Sequence, residues 1–359
     1  LYDTKNTQDD VILVGLEEDL TELMELAITG HCNIVGELVQ AREHPHPRTY
    51  LGKGKVEELQ ALIQATGANG IITDDELTPS QLKHLTELLD AKVMDRTILI
   101  LDIFARNATS AEAIAQVEIA QQQYNLAHLT GMGINMSRLG GGIGTRGPGE
   151  KKLETDRRAI RSRISELKKE LKTIENHRNN QRKARIKNEI YTLSLVGYTN
   201  AGKSSVMNAL TSGAWGTPKN SLFSTLDTTT RKLSKFSGKF FRSVVLTDTV
   251  GFIQKLPTNL IDAFKSTLEE MRYSTVLLHV VDISNPNYRN QMDLVYDTLG
   301  QLGYNNIPVI TVFNKIDKTD EIYPIDQRAV ATVAISAKLN KNIELLEEAI
   351  MEVLERRVN

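Results

Sequence analysis

The 359-residue chain has a single cysteine, Cys32. That excludes an intramolecular disulfide and a cysteine-built zinc site, and a reducing cytoplasm is the expected address. Also missing is any apolar run near the roughly 20 residues a membrane-spanning helix requires. The longest runs, "TILILDIFA" (97–105) and "TVLLHVVDI" (275–283), read as buried strands. The opening "LYDTKNTQDD" lacks a basic-then-apolar leader pattern. It begins with Leu rather than Met, which leaves open where the natural chain starts. Aromatic residues are scarce at 5%, whereas 40% hydrophobic and 25% charged residues describe a soluble globular protein. The length allows two or three ordinary cores.

A large excess of one charge is absent overall, the net being −2. Locally it is present. Residues 131–187 carry 16 Lys and Arg against 6 Asp and Glu, a net of +10 that leaves −12 for the remainder. A basic block in an otherwise acidic chain predicts a polyanionic partner. The alternative is a solvated helix face with its ordinary lysines.

Residues 11–106 alternate short apolar runs with helix-period segments. "VILVG" (11–15), "CNIVGELV" (32–39), "GIITDD" (70–75) and "AKVMDR" (91–96) read as strands with helices between them. That order predicts a parallel α/β sheet covered by helices. Residues 108–130 lack proline and glycine and read as a helix. A second, longer helix follows over 150–187, where Leu153, Ile160, Ile164, Leu167, Leu171 and Ile174 are spaced 7, 4, 3, 4 and 3 apart. This is a heptad seam, so an antiparallel, coiled-coil-like hairpin is expected. From Ile190 the strand-loop-helix pattern resumes to the end. The expected domains are an N-terminal parallel α/β domain (1–107), a helical hairpin with a glycine-rich basic loop (108–189) and a second α/β domain (190–359).

The last domain holds the strongest motifs. "GYTNAGKS" runs from Gly197 through Tyr198, Thr199, Asn200, Ala201, Gly202 and Lys203 to Ser204, with Ser205 next, between an apolar strand and a helix. This G-x-x-x-x-G-K-S spacing cradles phosphates on backbone N–H groups, with Lys203 on the β- and γ-phosphates and Ser204 on Mg²⁺. The helix N-terminus adds its dipole. "FSTLD" (Phe223, Ser224, Thr225, Leu226, Asp227) lies in a polar loop, where Thr225 is placed to close on the γ-phosphate and Mg²⁺. "DTVG" (Asp248, Thr249, Val250, Gly251) follows a strand; Asp248 would hold the metal through water, and the Gly251 amide would sense the γ-phosphate. In "NKID", with Asn314, Lys315 and Asp317, the Asp317 carboxylate accepts from two guanine N–H groups, which adenine cannot supply. Ser336, Ala337 and Lys338 offer backbone amides to the guanine carbonyl. Five elements in order predict a P-loop domain binding GTP and GDP.

"RLGGGIGTRGPGEKKLETDRR" (138–158), followed by "VGYTNAGKSS", "LFSTLDTTTR" and "DTVGFIQKLP", closely resembles the HflX family of translation-factor-related GTPases. "PHPRTYLGKGKVEEL" (45–59) resembles that family's N-terminal domain, so the likeness covers essentially the whole chain. The resemblance implies a cytoplasmic GTPase that associates with the large ribosomal subunit and splits or rescues stalled ribosomes under stress. Some members carry a further domain after the GTPase region, and contacts made by such a domain are not carried over here. An RNA partner agrees with the basic segment. Arg138, Arg146, Lys151, Lys152, Arg157 and Arg158 are the candidate RNA contacts, on or beside a loop whose glycines permit close approach to a backbone. A flexible linker is the alternative reading of that loop.

The position after "DTVG" is Phe252, where related switch proteins place a water-orienting glutamine. Hydrolysis is therefore expected to be slow alone and stimulated by the ribosome. Lys203, Thr225, Gly251 and Asn200 are the candidate catalytic groups, with the Asn200 side chain placed to hold K⁺ as in potassium-activated relatives. Phe252 itself is expected to pack on apolar surface. His44 and His46 lack companion ligands and read as a surface loop, and "GKGK" (52–55) reads as a turn or an anion contact. A monomer is expected. Competing readings are a GTP-switched RNA-binding module with negligible turnover and an RNA-modification-associated GTPase.

Overall fold

The computed structural model describes residues 9–136, 148–187, 190–211, 222–223, 229–236, 243–255, 270–319 and 323–356. They fall into two compact units, one drawn from residues 9–106 and 114–172, the other from 107–113 and the chain beyond 172.

The first unit begins β1 (Asp10–Gly15), α1 (Thr21–Thr29), β2 (Asn33–Val39), α2 (Lys53–Thr66), β3 (Gly70–Thr73), α3 (Pro79–Leu89), β4 (Lys92–Asp95) and α4 (Arg96–Asn107). The strands form one parallel sheet in the order β2-β1-β3-β4. Side chains alternate across a strand, so Ile12 and Val14 share one face and join Leu59, Leu85 and Leu89 of α2 and α3 in a common core. Val11 and Leu13 point the other way and are equally buried, as are Leu23 and Leu26 of α1. Thr78 starts α3 with a reciprocal cap: its hydroxyl accepts from the Gln81 amide, and the Gln81 side chain accepts from the Thr78 amide. His46 serves a turn, its Nδ1 accepting from the Arg48 and Thr49 amides.

One expectation fails here. "TILILDIFA" is helix α4, not a strand. A short apolar run does not by itself tell helix from strand; as a helix it buries Leu99, Ile100, Leu101, Ile103 and Phe104. The deciding feature is the Asp95 carboxylate, which accepts from the Ile98 amide at 2.9 Å and so caps the first turn.

Two long helices follow, α5 (Ala111–Met136) and α6 (Pro148–Lys187). They run antiparallel. Leu167 and Leu171 of the heptad seam pack on Ala115 and Ile119, Arg163 forms a two-point ion pair with Glu118, and Arg157 donates to the Leu129 carbonyl.

The second unit contains β5 (Tyr191–Gly197), α7 (Lys203–Leu210), β6 (Thr229–Lys232), β7 (Val244–Asp248), β8 (Val276–Asp282), α8 (Tyr288–Gln301), β9 (Val309–Asn314), β10 (Ala331–Ala334) and α9 (Ile343–Glu355). Its six-stranded sheet has the order β10-β9-β8-β5-β7-β6, parallel except for β6. One face buries Leu193, Leu195, Leu278 and Val280 against Val206 of α7 and Leu346 and Ile350 of α9. The other buries Val196 and Leu277 against Val295 and Leu299 of α8. The chain order reverses between β5 and β8, so their carboxyl ends flank the crevice where open parallel sheets hold ligands. No helix among the described residues is long and apolar enough to cross a membrane.

Candidate functional site

Strand β5 is buried along its whole length and delivers the loop 197–202 to that crevice. Asn200 adopts φ 60°, a left-handed conformation that asparagine tolerates better than most residues. Gly202, at φ 93°, caps α7, and a Cβ there would collide with the Asn314 amide nitrogen. Two left-handed residues thus shape the turn that leads into α7.

Lys203 is buried, its ammonium donating to the carbonyls of Gly197 at 3.1 Å and Tyr198 at 2.7 Å. Burial pushes its pKa down to about 8, against the pull of Asp248. An anion in the loop would oppose that effect and favour the ammonium form. Ser204 Oγ donates to Asp248 Oδ2 at 2.9 Å, so two of the three residues expected at Mg²⁺ already meet. A hydroxyl and a carboxylate are hard oxygen donors, the type Mg²⁺ takes. The third, Thr225, lies outside the described residues together with Ser224, Leu226 and Asp227. Phe223 is buried with φ 53°, and Ser205 sits half-buried on α7.

The turn after β7 is docked on the loop. Phe252 N–H donates to the Gly197 carbonyl at 3.1 Å, and the Thr199 N–H donates to the Phe252 carbonyl at 2.7 Å. Thr249 Oγ1 donates to the Leu195 carbonyl, fixing the start of the turn, while Val250 is buried beside it. Gly251 approaches so closely that a Cβ would lie 2.8 Å from Thr199 Cγ2 and 2.9 Å from Lys203 Nζ. The Phe252 ring, meanwhile, is 2% exposed and belongs to the core with Val196, Leu277, Val295 and Leu299. Its backbone touches the loop; its ring leaves it.

On the other side of the loop, Asn314 ties two segments together. Its Nδ2 donates to the Ala201 carbonyl at 3.0 Å and its Oδ1 accepts from the Ala337 amide at 3.1 Å. Ser336 Oγ donates to Asp317 at 2.6 Å, and that hydrogen bond is the chief reason the exposed Asp317 carboxyl is held below its ordinary pKa. Lys338 is exposed. Lys315 Nζ spans the Asn200 carbonyl at 2.7 Å and the Asp282 carboxylate at 2.6 Å. Sequence reasoning missed Asp282; the available signal was an acid ending a buried strand at the ligand edge of the sheet.

The basic candidates divide. Arg157 faces its partner helix, whereas Arg158 is 74% exposed beside Glu154. Lys151 and Lys152 lie on α6 with side chains outside the described set, and Arg138 and Arg146 lie outside the described residues. No group of three His, Cys, Asp or Glu suited to a metal occurs among the described residues.

Three family descriptions match the chain: GTP-binding GTPase N-terminal over 17–105, GTP-binding GTPase Middle Region over 107–185, and 50S ribosome-binding GTPase over 192–315. A GTPase HflX from Lacrimispora saccharolytica is 50% identical over 363 residues, covering 99% of this chain and 85% of that protein. The GTPase HflX of Escherichia coli is 39% identical, covering 100% and 86%. Among solved structures, a GTP-binding protein from Sulfolobus solfataricus in complex with GDP aligns over 97% of this chain and 99% of that one, with a TM-score of 0.50 and 23% identity, a likeness of fold.

Proposed function

Because the chain belongs to the HflX family of GTP-hydrolysing enzymes, we propose that its GTP-bound form associates with the large ribosomal subunit in the cytoplasm, as a monomer, and splits or rescues stalled ribosomes under stress. The observation that carries this reading is the charge of residues 131–187. A net +10 is carried by the end of α5, by α6 and by the residues between them, next in the chain to a region matching a 50S ribosome-binding GTPase description. Phosphate contacts from Lys and Arg supply much of the affinity for RNA and make it salt-dependent.

Within the nucleotide region, the loop amides and Lys203 would hold the phosphates, and Asp317 would read guanine. Ser204, Asp248 and Thr225 would hold Mg²⁺, the metal GTPases of this family generally use; when bound it neutralises charge on the phosphates. The Asn200 side chain would hold K⁺. Gly251, set against Lys203 and Thr199, would present its amide to the γ-phosphate. Hydrolysis would be slow in the free protein, because the Phe252 ring contributes no polar group at the loop.

Cosedimentation with separated ribosomal subunits tests the proposal. Binding to the large subunit is expected with a non-hydrolysable GTP analogue and should weaken with GDP. Replacing Arg138 and Arg146 by Glu should weaken that binding while leaving nucleotide affinity of the free protein unchanged. Wild-type sedimentation of this variant would remove the hairpin loop from the interface.

A further inference from the structure

A buried hydroxyl in the loop 197–202 has no partner among the described residues. Thr199 is 6% exposed, and its Oγ1 makes no hydrogen bond among the described residues. Buried polar atoms are nearly always paired, so an orphan in a binding loop calls for a partner that arrives with the ligand. The neighbouring polar groups are engaged with one another. The Lys203 ammonium donates to the Gly197 and Tyr198 carbonyls, and the Tyr198 hydroxyl accepts from the Gln254 amide at 2.9 Å.

Thr199 stands beside two groups assigned above to the γ-phosphate, Lys203 and Gly251. A Cβ built on Gly251 would lie 2.8 Å from the Thr199 methyl carbon Cγ2 and 2.9 Å from Lys203 Nζ, so both residues border this glycine. That spot is the meeting point of the loop with the turn after β7, where the γ-phosphate end of GTP belongs on the reading proposed above. The Phe252 ring is withdrawn into the core. The water-orienting glutamine of related switch proteins both accepts and donates a hydrogen bond, a pair of roles the side chain at position 252 leaves unfilled here. A hydroxyl can do both at once.

We propose that Thr199 is a catalytic residue, its hydroxyl donating to a γ-phosphate oxygen and accepting from the attacking water. The water oxygen forms a bond to phosphorus, and the bond from phosphorus to the bridging oxygen breaks with its electron pair leaving on GDP. The water proton passes to a phosphate oxygen, giving GDP and inorganic phosphate. Thr199 is unchanged at the end.

Thr199→Val keeps the shape and deletes only the hydroxyl; Thr199→Ser keeps the hydroxyl. Single-turnover GTP hydrolysis with large ribosomal subunits, fluorescent-nucleotide affinity and thermal unfolding are measured for both. In Val, turnover should fall at least tenfold with GDP affinity within threefold of wild type, and the unfolding temperature should hold or rise, since an unpaired buried hydroxyl has gone. Ser should recover turnover to within threefold. Wild-type turnover in Val overturns the proposal, and so does a lowered unfolding temperature in Val, which would make the hydroxyl structural. The proposal rests on the loop holding GTP, so Lys203→Ala is the control. If Lys203→Ala still binds GTP normally, that underlying assignment fails; if it abolishes binding while Val turns over normally, only the role of Thr199 fails.

Discussion

Consider Phe252 replaced by the glutamine that related switch proteins carry. The ring is 2% exposed and packs with Val196, Met271, Leu277, Val295, Leu299, Tyr304 and Val309, all apolar or aromatic. Truncating such a ring to Ala costs about 3–5 kcal/mol. Glutamine keeps two methylenes of packing but brings an amide into that cluster, and an unpaired buried amide adds about 1–3 kcal/mol. A net loss of about 3–5 kcal/mol is expected. For a unit of this size each kcal/mol moves the midpoint by about 2–4 °C, so Phe252→Gln should unfold about 6–20 °C lower. Turnover per folded molecule should change less than tenfold, equivalent to about 1.4 kcal/mol of barrier, because the contacts made by residue 252 at the loop are backbone contacts. Phe252→Leu, a milder apolar exchange, should keep both stability and rate close to wild type. Thermal unfolding paired with single-turnover hydrolysis, with and without large subunits, measures both quantities. A glutamine variant that hydrolyses GTP tenfold faster at an unchanged midpoint would refute the reasoning, since the side chain would then have to reach the phosphate.

Asn200→Ala should cut turnover and abolish any preference for K⁺ over Na⁺; Asn200→Gly, which suits the φ of 60°, separates loss of the side chain from backbone strain, and a retained K⁺ preference in both would exclude Asn200 from the ion. Asp317→Asn should exchange guanine for xanthine preference, because the amide donates where the carboxylate accepted, as a competition assay with xanthosine and guanosine nucleotides would show. His279 on β8 is 1% exposed, and burial pushes its pKa from 6.5 to about 3. Between those values the unfolded chain binds the proton and the folded chain does not, so stability falls as pH drops below 6.5. The slope is about 1.4 kcal/mol per pH unit, or about 2 kcal/mol by pH 5. His279→Asn should flatten the unfolding midpoint over this range, and an undiminished slope would assign the acid sensitivity to other groups.

The sequence by itself determined those features whose physics is local. A phosphate-cradling pattern needs a few glycines and one lysine at fixed spacing between a strand and a helix, so Gly197 to Ser204 could be named as the candidate loop, and its place between β5 and α7 expected, without coordinates. The heptad spacing of Leu167 and Leu171 likewise places them on one stripe of a helix wherever that helix sits, and charge counting exposed the basic segment. Alternating strands and helices sufficed for parallel α/β sheets, because parallel neighbours require a crossover. Tertiary structure decided what depends on neighbours distant in the chain. "TILILDIFA" became a helix because the Asp95 carboxylate caps its first turn, and a short apolar run does not by itself tell helix from strand. The direction of the Phe252 ring follows from the hydrophobic cluster beneath α8. Asp282 meets Lys315 only because β8 and β9 lie side by side, which no spacing announces. The Thr199 hydroxyl is furthest from the reach of sequence: a threonine in a loop is unremarked until packing has removed it from water and left it without a partner among the described residues.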